Sequence, residues 1–204
     1  MTINKSISIT GVEGAGIDTK GGTGITVNPP PGTTTIHLDK LVIQNVSGSG
    51  TAGISVRGGP GLTGTITHCT VRGFGTGIGL SGNPFEAPGL TWLIADTVVT
   101  NNGTGISASF TATIFDHVVV HKNTFGVSIG RAGGTFVDTI VSNNNQVGIV
   151  VSEGTILLGH STVTENGTGI AVGPPGAQAT SSGDNLIYNN GTNVSGTLTK
   201  VGTQ

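Results

Sequence analysis

The side chains that could do chemistry recur at one place in a repeat. His68, Asp96, Asp116, Asp138 and His160 each open a short apolar run: HCTV, DTVV, DHVV, DTIV and HSTV. Asp39 in DKLV and Asp184 in DNLI extend the series. If consecutive copies stack in register as strands, neighbouring members lie about 5 Å apart. Adjacent carboxylates at that spacing repel, which raises some of their pKa values or draws in a cation. Calcium suits such oxygen ligands. One reading is therefore a metal-assisted site acting on a polysaccharide. The other is a solvated ladder at a strand end, its carboxylates accepting backbone or threonine hydrogen bonds, with no catalytic residue and no cofactor.

Other reactive types offer less. Cys69 is the single cysteine, so no disulfide can form within the chain. It reads as a small buried hydrophobe, because its neighbour His68 would point to the opposite face of a strand and could not serve it as a base. His117 and His121 would lie about 13 Å apart along a strand, too far to share one metal, and read as surface residues. Phe85 and Glu86, in the stretch NPFEAP, form the candidate loop surface. Phe85 is the best-placed aromatic for stacking on a sugar. Trp92 and Phe136 fall near expected core positions instead.

The elements that must position these groups are short, period-2 segments. The clearest unit is Gly, then Ile or Val, then any residue, then an apolar one. It begins at Gly24, Gly53, Gly77, Gly105, Gly126, Gly148 and Gly169, with a worn copy at Asn193. The intervals are 21 to 29 residues. Two columns of inward side chains follow. One is Ile25, Ile54, Ile78, Ile106, Val127, Ile149 and Ile170; the other is Val27, Val56, Leu80, Ala108, Ile129, Val151 and Val172. One copy cannot bury such a face, whereas stacked copies build a continuous apolar column. Asparagine stands three residues before the anchor at Asn102, Asn123, Asn145, Asn166 and Asn190, where stacked amides can bond along the axis. The spacing predicts an all-β chain: a three-sheeted parallel β-helix of about eight coils. Residues 24–193 carry the repeats, 1–23 form an N-terminal coil or cap, and 194–204 form a polar C-terminal cap, all within one domain over 1–204.

The outward residue of the GIxV unit is small in most copies (Thr26, Ser55, Gly79, Ser107, Ser128, Val150, Ala171), which predicts a flat, mildly polar face. Length changes concentrate after this strand, in NPPPGTT from Asn28, SGNPFEAPG from Ser81 and GPPGAQA from Gly173. Such inserts should project from one corner, often the binding side of a repeat protein.

Composition narrows the class. Charged residues are 9% and glycine 37 of 204, yet apolar residues reach 34% at regular spacing, which argues for a packed core over disorder. Eight scattered basic residues at a net charge of −2 make no stripe for a phosphate backbone, so nucleic acid is not expected as a partner. No apolar run approaches the roughly 20 residues needed to cross a bilayer, so membrane insertion is not expected either. The opening MTINKSISIT lacks the apolar region of a secretory signal.

The segments NKSISI, GTGITV, CTVRGF, DTVVTNNGTGI, KNTFGV, STVTENGTGIAV and GDNLIYNNGTN resemble a bacterial family of right-handed parallel β-helix repeat proteins with the pectin-lyase-like fold. The resemblance covers residues 3–193 and carries no assigned reaction. Its relatives extend further at the N-terminus, so this chain reads as a shortened member; the compartment stays open, a secreted or cell-surface place being one option. A lyase of this fold would use an Arg or Lys base beside bound calcium. Arg57, Arg72 and Arg131 form no paired motif here. Two functions follow as expectations. The first is a noncatalytic scaffold or binding module that takes a glycan or associates with itself through the solenoid ends or the flat face. The second is a polysaccharide lyase or hydrolase using the acidic column.

Overall fold

The computed structural model describes residues 1–12, 14–32, 34–84, 90–173 and 175–202. The chain winds through three parallel sheets in turn. One coil runs Thr104–Ser109 in sheet A, Thr111–Asp116 in sheet B and Val119–His121 in sheet C, then returns to sheet A at Phe125–Gly130. Among the described residues, sheets A and B hold nine strands each and sheet C eight, and each strand pairs with its counterparts in the neighbouring coils. There is no helix among the described residues, hence none long and apolar enough to cross a membrane.

Sheet A contains the GIxV units, and its register is the expected one. Ile25 pairs with Ile54, Ile54 with Ile78, Ile78 with Ile106, and the file continues through Val127, Ile149 and Ile170 to Val194. From Ile25 to Ile170 each member is fully buried. Alternation explains this: a strand buried on one face sends every second side chain inward, and stacking then dries the column. The glycine before each isoleucine is needed for close approach. A Cβ on Gly105 would lie 2.6 Å from the Gly126 carbonyl oxygen.

Sheet B supplies the bulky part of the core. Trp92 lies over Gly64 in the coil before it, where a Cβ would come within 2.6 Å of the indole. Phe115 and Phe136 stack at 4.5 Å between ring centroids. Large residues in one coil thus fill the space left by small ones in the next, as close packing requires.

The corner from sheet C to sheet A is held by buried asparagines. The Asn102, Asn123, Asn144 and Asn166 amides each accept from the backbone N–H of the residue one coil earlier: Phe74, Asn102, Asn123 and Asn144, at 3.0, 2.9, 3.1 and 3.0 Å. Asn190 accepts from Asn166 in the same way at 2.9 Å. The ladder runs through Asn144, not Asn145 as the count back from the anchor predicts. Val120 pairs with Val141, 21 positions on, but Phe125 pairs with Val147, 22 on. The turn in that coil therefore has one extra residue, and Asn145 is pushed out to solvent.

At the ends, Thr2–Ile3, Ile7–Thr10 and Gly16–Thr19 pair into sheets A, B and C. Thr192–Ser195 and Leu198–Lys200 pair into sheets A and B, so the chain stays within the stack as far as Lys200.

Candidate functional site

Two corners gather the residues with chemical potential. The corner from sheet B to sheet C is a tight turn. Lys40, His68, Asp96, His117, Asp138 and His160 all stand there with φ between 48° and 55°. That left-handed conformation is uncommon for residues with a Cβ, and Asn, Asp and His adopt it most readily. Backbone geometry therefore accounts for much of the acid and histidine content of the column. The next residue turns inward: Cys69, Thr97, Val118, Thr139 and Ser161 are all buried. Where this position is a hydroxyl, it satisfies the corner's backbone. The Thr97 hydroxyl accepts from the Cys69 N–H at 3.2 Å and donates to the Ala95 carbonyl at 2.7 Å.

The structure brings the predicted residues together with two shifts of one residue, at Asp116 and Asp39. Asp116 does not occupy the corner position. It ends its strand, paired with Ala95 and Val137, and His117 takes the corner place instead. The apolar trio Val118, Val119 and Val120 made DHVV look like DTIV, but Val119 pairs with Ile140, so the match is offset by one residue. His117 and His121 are likewise not on one strand face: His117 is at the corner and His121 ends the following strand. Asp39 is also one residue early, with Lys40 at the corner.

The result is acids alternating with imidazoles along the stack. His68 Nδ1 lies 2.9 Å from Asp39, and its Nε2 lies 3.7 Å from Asp96. His117 Nδ1 lies 2.7 Å from Asp116, and its Nε2 lies 4.0 Å from Asp138. His160 Nε2 lies 3.2 Å from Asp184. The hydrogen bond with Asp116, and that carboxylate's charge, raise the pKa of His117. The bond from His68, aided by one from Thr67, holds Asp39 below the usual carboxylate range. Ser182 and then the His160 backbone do the same for Asp184. All these groups are open to solvent, where such pairs add little stability. Burial pushes the Cys69 thiol up, which disfavours the reactive thiolate.

Asp116, His117 and Asp138 offer three ligand atoms within 4.8 Å of one another. Calcium prefers six to eight oxygens. Two carboxylates and a central imidazole match a transition metal better than calcium. The same three groups are already partners of one another, as a corner built of left-handed Asp and His residues would make them.

The second corner, from sheet A to sheet B, carries the inserts. Pro29, Pro31, Arg57, Gly58, Gly59, Ser81, Gly82, Asn83 and Pro84 are the described walls of a cleft of about 350 Å³. Arg57 makes no hydrogen bond or ion pair with a described residue, in contrast to Arg72, which donates to Gln44, and Arg131, which donates to Glu153. The sequence flagged this corner through its variable inserts but did not single out Arg57 as a ligand. Phe85 and Glu86, the predicted loop surface, lie outside the described residues.

A family model for the right-handed β-helix region matches residues 3–192. The chain belongs to the right-handed β-helix family. A search of curated proteins finds no match. Among solved structures, pectate lyase Pel9A is similar over 98% of this chain and 54% of its own, with 15% identity and a TM-score of 0.48. The right-handed β-helix chain thus spans about half the length of that enzyme, and the likeness carries no argument about activity.

Proposed function

We propose that this β-helix is a noncatalytic binding module that takes an acidic glycan in the cleft between sheets A and B. The observation that carries this reading is Arg57. It is a guanidinium with no hydrogen-bond or ion-pair partner among the described residues, set between proline-rich inserts in a cleft large enough for a sugar residue or two. A guanidinium recognises a carboxylate through a two-pronged hydrogen bond. Ser81 adds a hydroxyl of the kind that fixes sugar orientation, and the prolines give apolar walls.

The histidine–aspartate corner favours a second reading, a lyase or hydrolase, because it places two carboxylates around an imidazole. Calorimetric titration with uronic-acid oligosaccharides separates the two. Wild type should bind, and Arg57→Ala should weaken binding by on the order of tenfold to a hundredfold, as loss of a charged hydrogen bond does. Incubation with the same sugars plus calcium should yield neither unsaturated product by ultraviolet absorbance nor new reducing ends. Product formation that disappears in Asp116→Asn would establish the enzyme reading instead. Binding unchanged in Arg57→Ala would remove the cleft from consideration.

A further inference from the structure

We propose that the outer face of sheet B is an interface between two copies of this chain, packed face to face with their solenoids running the same way. This is separate from the glycan reading and stands on different residues.

The face has two central columns. One is Thr35, Thr63, Thr91, Ala112, Gly133, Thr155 and Gln178. The other is His37, Thr65, Leu93, Ile114, Thr135, Leu157, Thr180 and Thr199. Neither column contains a Lys, Arg, Asp or Glu. Ile114 and Leu157 are 47% and 42% exposed, and beside them Ala112, Gly133 and Gly134 leave a shallow hollow of about 250 Å³. The flat outer face of sheet A, the expected packing surface, has no exposed large apolar side chain among the described residues. Sheet B therefore carries the stronger drive to be covered.

The occupant follows from size and charge. From Thr65 to Thr135, each coil sets the second-column residue beside one no larger: Leu93 beside Thr91, Ile114 beside Ala112, Thr135 beside Gly133. Leu157 stands beside Thr155 in the same way. A two-fold axis running between the columns, along the solenoid, turns the second column of one copy onto the first column of the other. Ile114 then meets Ala112 and the hollow at Gly133, and Leu157 meets Thr155. That is the self-complementary match an isologous dimer needs. An axis across the solenoids would set the bulky columns against each other. It would also lay the edge with Asp39, Asp96, Asp116, Asp138 and Asp184 against itself, where the described residues offer one lysine, Lys40, beside the histidines, and the excess of negative charge repels. Eight strands about 4.8 Å apart and roughly 17 Å long give about 600 Å² per copy. Two copies together clear the roughly 1,000 Å² expected of a specific interface.

Sedimentation velocity on the full chain tests this. Wild type should sediment as a dimer, and Ile114→Glu and Leu157→Glu should each raise the dimer dissociation constant by on the order of a hundredfold, as at an interface hot spot. Circular dichroism should show both variants folded. Ile140→Glu, on the exposed face of sheet C, should leave the dimer intact. A mixture of Thr63→Cys and Thr65→Cys chains should be joined into a heterodimer by a short bifunctional maleimide that spans the roughly 10 Å between packed sheets, since Cys69 is buried and silent. A monomeric wild type, a dimer that survives Ile114→Glu, or one lost in Ile140→Glu would overturn the proposal. So would crosslinking of Thr65→Cys to Thr180→Cys in preference to Thr63→Cys, which would signal opposed solenoids.

Discussion

Asn144 shows how much one buried amide does in this fold. Its side chain accepts the Asn123 N–H and amide at 3.1 Å each and donates to the Val120 carbonyl at 3.2 Å. Asn144→Ala should cost about 1–3 kcal/mol, because the Asn123 N–H is then buried without a partner. Asn145→Ala, one residue away and exposed, should change stability by less than about 0.5 kcal/mol. Urea denaturation of the two variants gives the comparison. His117 provides a pH signature. Its pKa is raised in the folded state by Asp116. Its contribution is therefore fully present below the ordinary imidazole value of about 6.5 and is lost as pH rises through the raised value. Asp39 and Asp184 act in the opposite sense: lowered in the fold, they contribute above the ordinary carboxylate range, and that contribution disappears as pH falls through their lowered values. Melting temperatures of His117→Gln across mildly acidic to mildly basic pH should show a flatter decline than wild type. An unchanged slope would mean the pair with Asp116 adds nothing.

Strands and corners differ in how legible they are. The GIxV strands could be read because alternation and a glycine anchor both mark the inward face, so Ile54, Ile78 and Ile106 fall where the sequence puts them. At Asp116 the B–C corner lies one residue from where the sequence pattern puts it. Three consecutive valines erase the alternation that fixes phase, and the left-handed residue is invisible in a one-letter pattern. Asn145 was misplaced for a related reason, since a single added turn residue shifts any count made from the next anchor. The cleft at Arg57 was legible only as a cluster of variable inserts, because its walls come from separate coils brought together by stacking. Packing within an element makes its own prediction. Ile106→Ala should destabilise by about 2–5 kcal/mol, through lost burial plus the cavity it leaves. Gly64→Ala should also destabilise, because the new methyl would collide with the Trp92 indole. Thermal unfolding of both checks that the coils pack through these columns.

Over the whole molecule, charge is sorted by position. Most charged side chains stand at the corners, and the two central columns of sheet B carry none of the Lys, Arg, Asp or Glu residues. A stack of flat parallel sheets leaves little choice. Inward positions must be apolar, outward central positions are crowded by neighbours about 4.8 Å away, and the corners alone have room for solvated groups. Catalytic and structural uses of a charged corner therefore look alike in sequence, and only the partners of each group tell them apart. The acids of the B–C corner are occupied with imidazoles, whereas Arg57 at the A–B corner has no such partner among the described residues. Backbone amide chemical-shift mapping during titration with a uronic-acid oligosaccharide tests that contrast most directly. Shifts should centre on Arg57, Gly58, Ser81 and Gly82. Shifts centred on Asp96, Asp116, His117 and Asp138 would place the ligand at the opposite corner and contradict the account.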